Sequence, residues 1–136
     1  MVEVKIKRLH DSARKPEYKT EEAAGADLYA CLEEPMQIPP FGVALVPTGW
    51  ALEIPRGYQG EVRARSGLAL KEGLFVLNGP GTIDSDYRGE LKVILANFSK
   101  EERLIQPFDR IAQLIIMPTV SARFSVAELS ETPNRK

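Results

Sequence analysis

The sequence predicts an all-β domain, a compact sandwich or jelly roll with one short helix. Three observations lead there. Apolar and polar residues alternate with period two in several short runs, as half-buried strands require. β-branched residues are common in those runs. Ten prolines and ten glycines punctuate the gaps, too densely for a helical protein.

The elements follow in chain order. VEVKIKRL (2–9) alternates apolar and charged. AAGADLYA (23–30) sets Asp27 in a strand-like stretch after Gly25. VALVPTGWALEI (43–54) reads as two short runs broken by Pro47 and Gly49. GEVRARS (60–66) places Glu61, Arg63 and Arg65 on one face and Val62 and Ala64 on the other. SGLALKEG gives the helix, from Ser66 to Glu72, with Ser66 as N-cap and Gly73 as stop. LFVL (74–77), ELKVILAN (90–97), IAQLIIMP (111–118) and RFSVAEL (123–129) complete the strands, and ETPNRK reads as an arm leaving the body. With 136 residues and no repeat or linker, residues 1–136 form one domain.

Composition narrows the chemistry. Hydrophobic residues make up 43% and charged residues 27%, a globular balance. A net charge of −1 offers no general attraction to nucleic acid or anionic membrane. No apolar run approaches the roughly 18 residues of a membrane helix, and the alternating N-terminus is not a signal peptide. A soluble, cytoplasmic protein is expected. Cys31 is the one cysteine and His10 the one histidine. That excludes an intrachain disulfide and argues against a Cys/His zinc site. A Ser-His-Asp triad would have to use His10, and no nucleophile elbow accompanies it. His10 reads as a solvated residue at a strand end. Chemistry therefore falls to carboxylates, with or without a divalent ion.

Three stretches are candidates. In RARSGLALKEG, a strand delivers Arg65 beside the Ser66 hydroxyl and the uncovered backbone of Gly67, a fit for phosphate oxygens. An ordinary N-capped helix after an exposed Arg also fits. In NGPGTIDSDYRGELKVIL (78–95), the pattern reads as a hairpin whose tip holds Asp84 to Gly89. Gly79, Gly81 and Gly89 there would permit positive φ or close approach of a ligand. The rigid run Thr82–Ile83 displays Asp84, a candidate proton acceptor, and Tyr87 offers a flat face for a sugar or base. An Asp- and Gly-rich turn explains some of this, but not Tyr87 and Arg88. Gln113 is the one uncharged polar residue in an apolar strand and needs a partner or a purpose. A satisfied strand Gln, like a capped turn at Asp27, is the plainer reading.

The stretches AAGADLYA, RSGLA, NGPGTIDSDYRGELKV and DRIAQL resemble, in order and spacing, the first four of five motifs of the homotrimeric dUTP pyrophosphatases. The resemblance spans roughly residues 3 to 132. It implies a distorted jelly roll assembled as a homotrimer, with each site taking residues from more than one chain. It implies hydrolysis of dUTP to dUMP and pyrophosphate, which keeps uracil out of DNA and supplies dUMP for thymidylate synthesis. Asp84 would be the general base and would meet the 3′-OH. Tyr87 would pack under the deoxyribose and exclude a 2′-OH. Asn78 and the backbone of Gly81, Thr82 and Ile83 would read uracil, with Lys92 close to the nucleotide. Arg65, Ser66 and Gly67 would hold phosphates, and Gln113 the water or α-phosphate. Asp27 would help seat Mg²⁺ through water, the ion binding mainly triphosphate oxygens.

The chain departs from the family pattern in places. Ala64 replaces a frequent proline, and Phe108 a frequent glycine. A Gly-rich fifth motif, with a phosphate-binding arginine and a uracil-stacking phenylalanine, is not found before Lys136. Arg135 stands one residue from that arginine's place, which Asn134 occupies. That arm is expected to be cut off after Lys136, left out, or dispensed with. Two rival readings are a dCTP deaminase of the same fold and a non-catalytic dUTP sensor. Arg65-Ser66-Gly67 and Asp84 favour hydrolysis over deamination, and a sensor has no need of a base.

Overall fold

A computed structural model describes residues 1–134; Arg135, the candidate for the fifth motif's arginine, lies outside them. The strands are β1 (Lys5–Arg8), β2 (Glu17–Tyr18), β3 (Ala26–Tyr29), β4 (Met36–Ile38), β5 (Val43–Glu53) and β6 (Tyr58–Arg63). After α1 (Ser66–Glu72) come β7 (Leu74–Val76), β8 (Gly81–Ile83), β9 (Glu90–Asn97), β10 (Arg103–Ile105) and β11 (Arg110–Pro118). A four-stranded sheet, β1-β5-β9-β7, and a five-stranded sheet, β2-β3-β11-β6-β8, share one core, with β10 and β4 as a small third sheet. The chain is all-β with one short helix, in jelly-roll-like sheets, as expected.

Alternation decides which residues meet. On β9, Leu91, Val93 and Leu95 point inward and are at most 1% exposed. They join Val46 and Leu52 of β5, Leu28 of β3, Val62 of β6, and Ala112 and Leu114 of β11. Each fully buried aliphatic side chain contributes about 1.5–3 kcal/mol by leaving water.

Several expectations need correction. Residues 43–53 form one strand. Pro47 faces Lys92 and Ala51 faces Glu90, so Thr48, Gly49 and Trp50 bulge against Leu91 alone. Pro47 is tolerated because β1 reaches β5 only from Trp50 to Glu53, leaving Pro47 no ladder bond to lose on that side. The helix ends match, but Arg65 is the N-cap and no side chain caps it; Ser66 is the first helical residue. Gly73 closes the helix at φ 70°, its N–H bonded to Ala69 O. Residues 123–129 form no strand. Residues 119–134 lack regular structure, and Phe124 and Val126 are fully exposed. The alternating pattern is present, but the segment pairs with no strand among the described residues. β2, β4 and β10 are too short to show a period. β3 does not alternate because all four of its residues are buried.

Asn97 ties the third sheet to the body. It is 1% exposed, and its Nδ2 donates to the carbonyls of Ile38 (3.0 Å), Pro39 (3.2 Å) and Glu101 (2.8 Å). Its Oδ1 accepts from Ser99 Oγ at 2.6 Å. Phe108 takes a left-handed φ of 68°, which accounts for the family's glycine there.

Two outcomes follow. Asn97→Ala leaves buried carbonyls without a donor and should lower unfolding free energy by about 2–3 kcal/mol, with Asn97→Asp lowering it more. Denaturant unfolding followed by fluorescence of the single tryptophan, buried Trp50, reads both. Phe108→Gly should raise stability by roughly 0.5–1 kcal/mol, strain relief exceeding glycine's entropy cost; a lower melting temperature would contradict it.

Candidate active site

The segment from Asn78 to Gly89 is a crossing between the two sheets, not a hairpin tip. β7 pairs with β9 in the four-stranded sheet. The chain then leaves that sheet, and β8 pairs with β6 in the five-stranded one. It returns at Glu90. The flanking strands β7 and β9 do pair antiparallel, as a hairpin would, from Leu74–Asn97 to Val76–Leu95. What the hairpin reading misses is the detour through β8, whose long-range pairing with β6 no local pattern encodes.

The crossing builds one wall of a cavity of about 410 Å³. Thr82, Ile83, Asp84 and Tyr87 of the crossing line it together with Glu90, Leu91, Lys92 and Ile94 of β9 and Leu45 of β5. Five expected site residues thus meet: Thr82, Ile83, Asp84, Tyr87 and Lys92. The turn is braced without a ligand. Tyr87 N–H donates to Asp84 O at 3.1 Å, and the Tyr87 hydroxyl to Glu90 O at 3.0 Å. Arg88 donates to Ser85 O at 2.7 Å and Tyr87 O at 3.2 Å, and its Nε lies 3.7 Å from Glu53. Arg88 thereby gains a role that the sequence leaves open.

The glycines act through space rather than dihedral freedom. None of Gly79, Gly81 and Gly89 has a positive φ. A Cβ on Gly81 would lie 2.9 Å from Asn78 Nδ2, and one on Gly89 would strike the Tyr87 hydroxyl. Gly81 packs beneath Asn78, and Gly89 beneath Tyr87.

A second cluster forms at the end of β6. Gln113 on β11 sits between Asp27 on β3 and Arg63 on β6. Its Oε1 covers Gly25, where an added Cβ would come within 2.6 Å. Asp27 is 7% exposed. Such a charge needs partners, and it has two: Arg65 Nε and Arg110 Nη1, each 3.6 Å away. Arg65 Nη1 also reaches Arg110 O at 3.5 Å. One carboxylate between two guanidiniums leaves one positive charge over, beside exposed Ser66 and Gly67. A Cβ on Gly67 would meet nothing in this chain. Neither crowding nor a positive φ explains that glycine, whereas a ligand or a second chain would.

Arg110 and Glu90 escape the sequence reading. Arg110 lies inside DRIAQL, but its pairing with Asp27 depends on the β3–β11 register. Glu90 looks like the first residue of an amphipathic strand.

The two clusters do not meet within one chain. Val62 pairs with Gly81. Arg65 lies three residues past Val62, and Asp84 lies three past Gly81 in the opposite direction. Six residues of strand rise separate them by roughly 20 Å. His10 is exposed near the end of β1, 3.5 Å from Glu33, and stands outside both clusters. Among the described residues no helix is long and apolar enough to cross a membrane.

Comparison with known proteins follows the same outline. The dUTPase family model matches residues 11–136. The deoxyuridine 5′-triphosphate nucleotidohydrolase of Aquifex aeolicus is 56% identical over 117 residues, 85% of this chain and 79% of that one. The enzyme of the same name from Syntrophotalea carbinolica is 51% identical over 132 residues, 96% and 90% of the two chains. Among solved structures, a mutant dUTPase from phage phi11 of S. aureus, described with a structural Mg(II) ion, superposes with a TM-score of 0.85 at 26% identity, covering 96% of this chain and 99% of that one. A mutant of the Staphylococcus bacteriophage 80alpha dUTPase with dUpNHpp gives 0.81 at 27% identity, with coverage of 96% and 99%. The chain belongs to the dUTPase family, the deoxyuridine 5′-triphosphate nucleotidohydrolases.

Proposed function

We propose that the chain converts dUTP to dUMP and pyrophosphate by attack of water on the α-phosphorus, with Asp84 taking the water's proton. The observation that carries this is the shared cavity of Asp84, Tyr87 and Lys92. An exposed carboxylate just past the end of a short strand, beside a braced ring, suits an oriented water and a sugar. Asp84 also accepts the 3′-OH. Tyr87 lies against the deoxyribose and leaves no room for a 2′-OH. Asn78 and the backbone of Gly81, Thr82 and Ile83 read the uracil edge, and Lys92 stands by the nucleotide. Phosphoryl transfer needs positioning and charge neutralisation more than covalent help. Arg65, Ser66 and Gly67 hold the phosphates, Gln113 holds the α-phosphate or the water, and Arg110 adds charge.

The protein works as a homotrimer in which one subunit's cradle faces another's cavity. The roughly 20 Å between the clusters along a single chain supports this. The four-stranded sheet supports it too: Val43 and Leu45 of β5, and Leu77 just past β7, are exposed, an apolar surface suited to a second copy. So does the unpaired stretch 119–134, whose Phe124 and Val126 are bare.

The residues suit Mg²⁺ in outer-sphere fashion. Among the described residues no three His, Cys, Asp or Glu side chains converge, and Asp27 is flanked by two arginines. This chain would offer the ion one carboxylate, through water, with the rest of its shell from phosphate oxygens. When bound, Mg²⁺ supplies further neutralisation of the leaving pyrophosphate.

Purified protein with Mg²⁺ and each dNTP in turn should release pyrophosphate from dUTP; ammonia from dCTP, or no turnover at all, would overturn the reading. Asp84→Asn should retain nucleotide affinity while kcat falls by about 10²–10⁴; a near-normal kcat would remove Asp84 from its role. Tyr87→Ala should narrow the ratio of kcat/KM between dUTP and UTP, and an unchanged ratio would show that the ring does not guard the 2′ position.

A further inference from the structure

Tyr87 does not hold its place alone. Its hydroxyl is bonded to the carbonyl of Glu90, so the ring is only as fixed as that residue. Glu90 is in turn bonded out of the turn altogether. Its Oε2 accepts the backbone N–H of Gly49, 41 residues earlier, at 3.1 Å. Gly49 sits at the centre of the β5 bulge with φ 80°, and the bulge is what turns its N–H toward Glu90 rather than into a ladder bond. Gly49 is itself seated. A Cβ there would lie 2.6 Å from Ala13 Cβ and 2.9 Å from Cys31 Sγ. Next to it, buried Thr48 donates through Oγ1 to Leu91 O at 2.6 Å, a second strut from the bulge to the start of β9.

We infer that Glu90 is a positioning residue for substrate selection, its carboxylate gripping the β5 bulge through Gly49 N–H so that its carbonyl holds the Tyr87 ring at the edge of the cavity. The inference rests on the reading of Tyr87 as the guard of the 2′ position. Two features make it more than ordinary strand packing. Glu90 lines the cavity but gives its carboxylate to the backbone of another strand. The same residue contacts the guard with one group and the bulge with the other, so the chain Gly49–Glu90–Tyr87 is continuous. An amide side chain at 90 keeps an acceptor within reach of Gly49 N–H, a methyl removes it, and an aspartate is one methylene too short.

The test compares wild-type protein with Glu90→Gln, Glu90→Ala, Glu90→Asp and Tyr87→Ala. Each is assayed for kcat and KM on dUTP and on UTP, alongside a thermal melt. Glu90→Ala and Glu90→Asp should narrow the dUTP:UTP ratio of kcat/KM by about five- to tenfold, the weight of one hydrogen bond. Glu90→Gln should restore the wild-type ratio. A merely structural Glu90 would lower the melting temperature and leave the ratio alone. If Tyr87→Ala narrows the ratio while neither Glu90→Ala nor Glu90→Asp does, the inference fails and the guard stands. If Tyr87→Ala also leaves the ratio unchanged, the guard itself fails. Should Glu90→Ala not fold, the Glu90→Asp and Glu90→Gln pair decides alone.

Discussion

The cavity hangs on the register between β9 and β5. Period-two alternation sends Leu91, Val93 and Leu95 into the core and turns Lys92 and Ile94 outward. A slip of one residue would exchange the two sets, burying a lysine and exposing the core. Register is pinned at both ends. Near the start of β9, Thr48 bonds Leu91 O and Gly49 bonds Glu90. At its end, Asn97 gathers three carbonyls from two other segments. These pins set which residues of the strand line the cavity.

The second cluster rests on a different constraint. Asp27 lies in a strand buried along its whole length, and a carboxylate there is costly unless countered. Countering it draws Arg65 and Arg110 from separate strand ends to one point. The acid thus organises the cations: with both guanidiniums oriented in advance, less conformational freedom would be lost on binding an anion such as the proposed phosphate.

What was legible in the sequence follows what is local. β9 and the helix bounds were readable because alternation and a closing glycine act within a few residues. Pro47 and Gly49 misled the reading of β5, because local break signals cannot show that a bulge absorbs both. β7 and β9 read as the two arms of a hairpin, and they do pair; the crossing between them is invisible locally because β8 finds its partner, β6, far away in the chain. The candidate site residues come from the motif resemblance, and five of them line one cavity. Arg110 and Glu90 were missed since each acts through a contact set by tertiary register. Residues 123–129 carry a genuine strand pattern, but a pattern names a strand's faces and says nothing of which chain supplies its edge.

In the proposed assembly, the distance between Arg65 and Asp84 would make concentration part of the mechanism. If each site is completed by a neighbour, a lone chain carries two half-sites and no whole one. Folding and activity then answer to different variables: the first to the core that each chain possesses, the second to how many chains find one another. Dilution would silence such an enzyme without unfolding it, and a chain defective in one half could still lend its intact half to the subunit beside it.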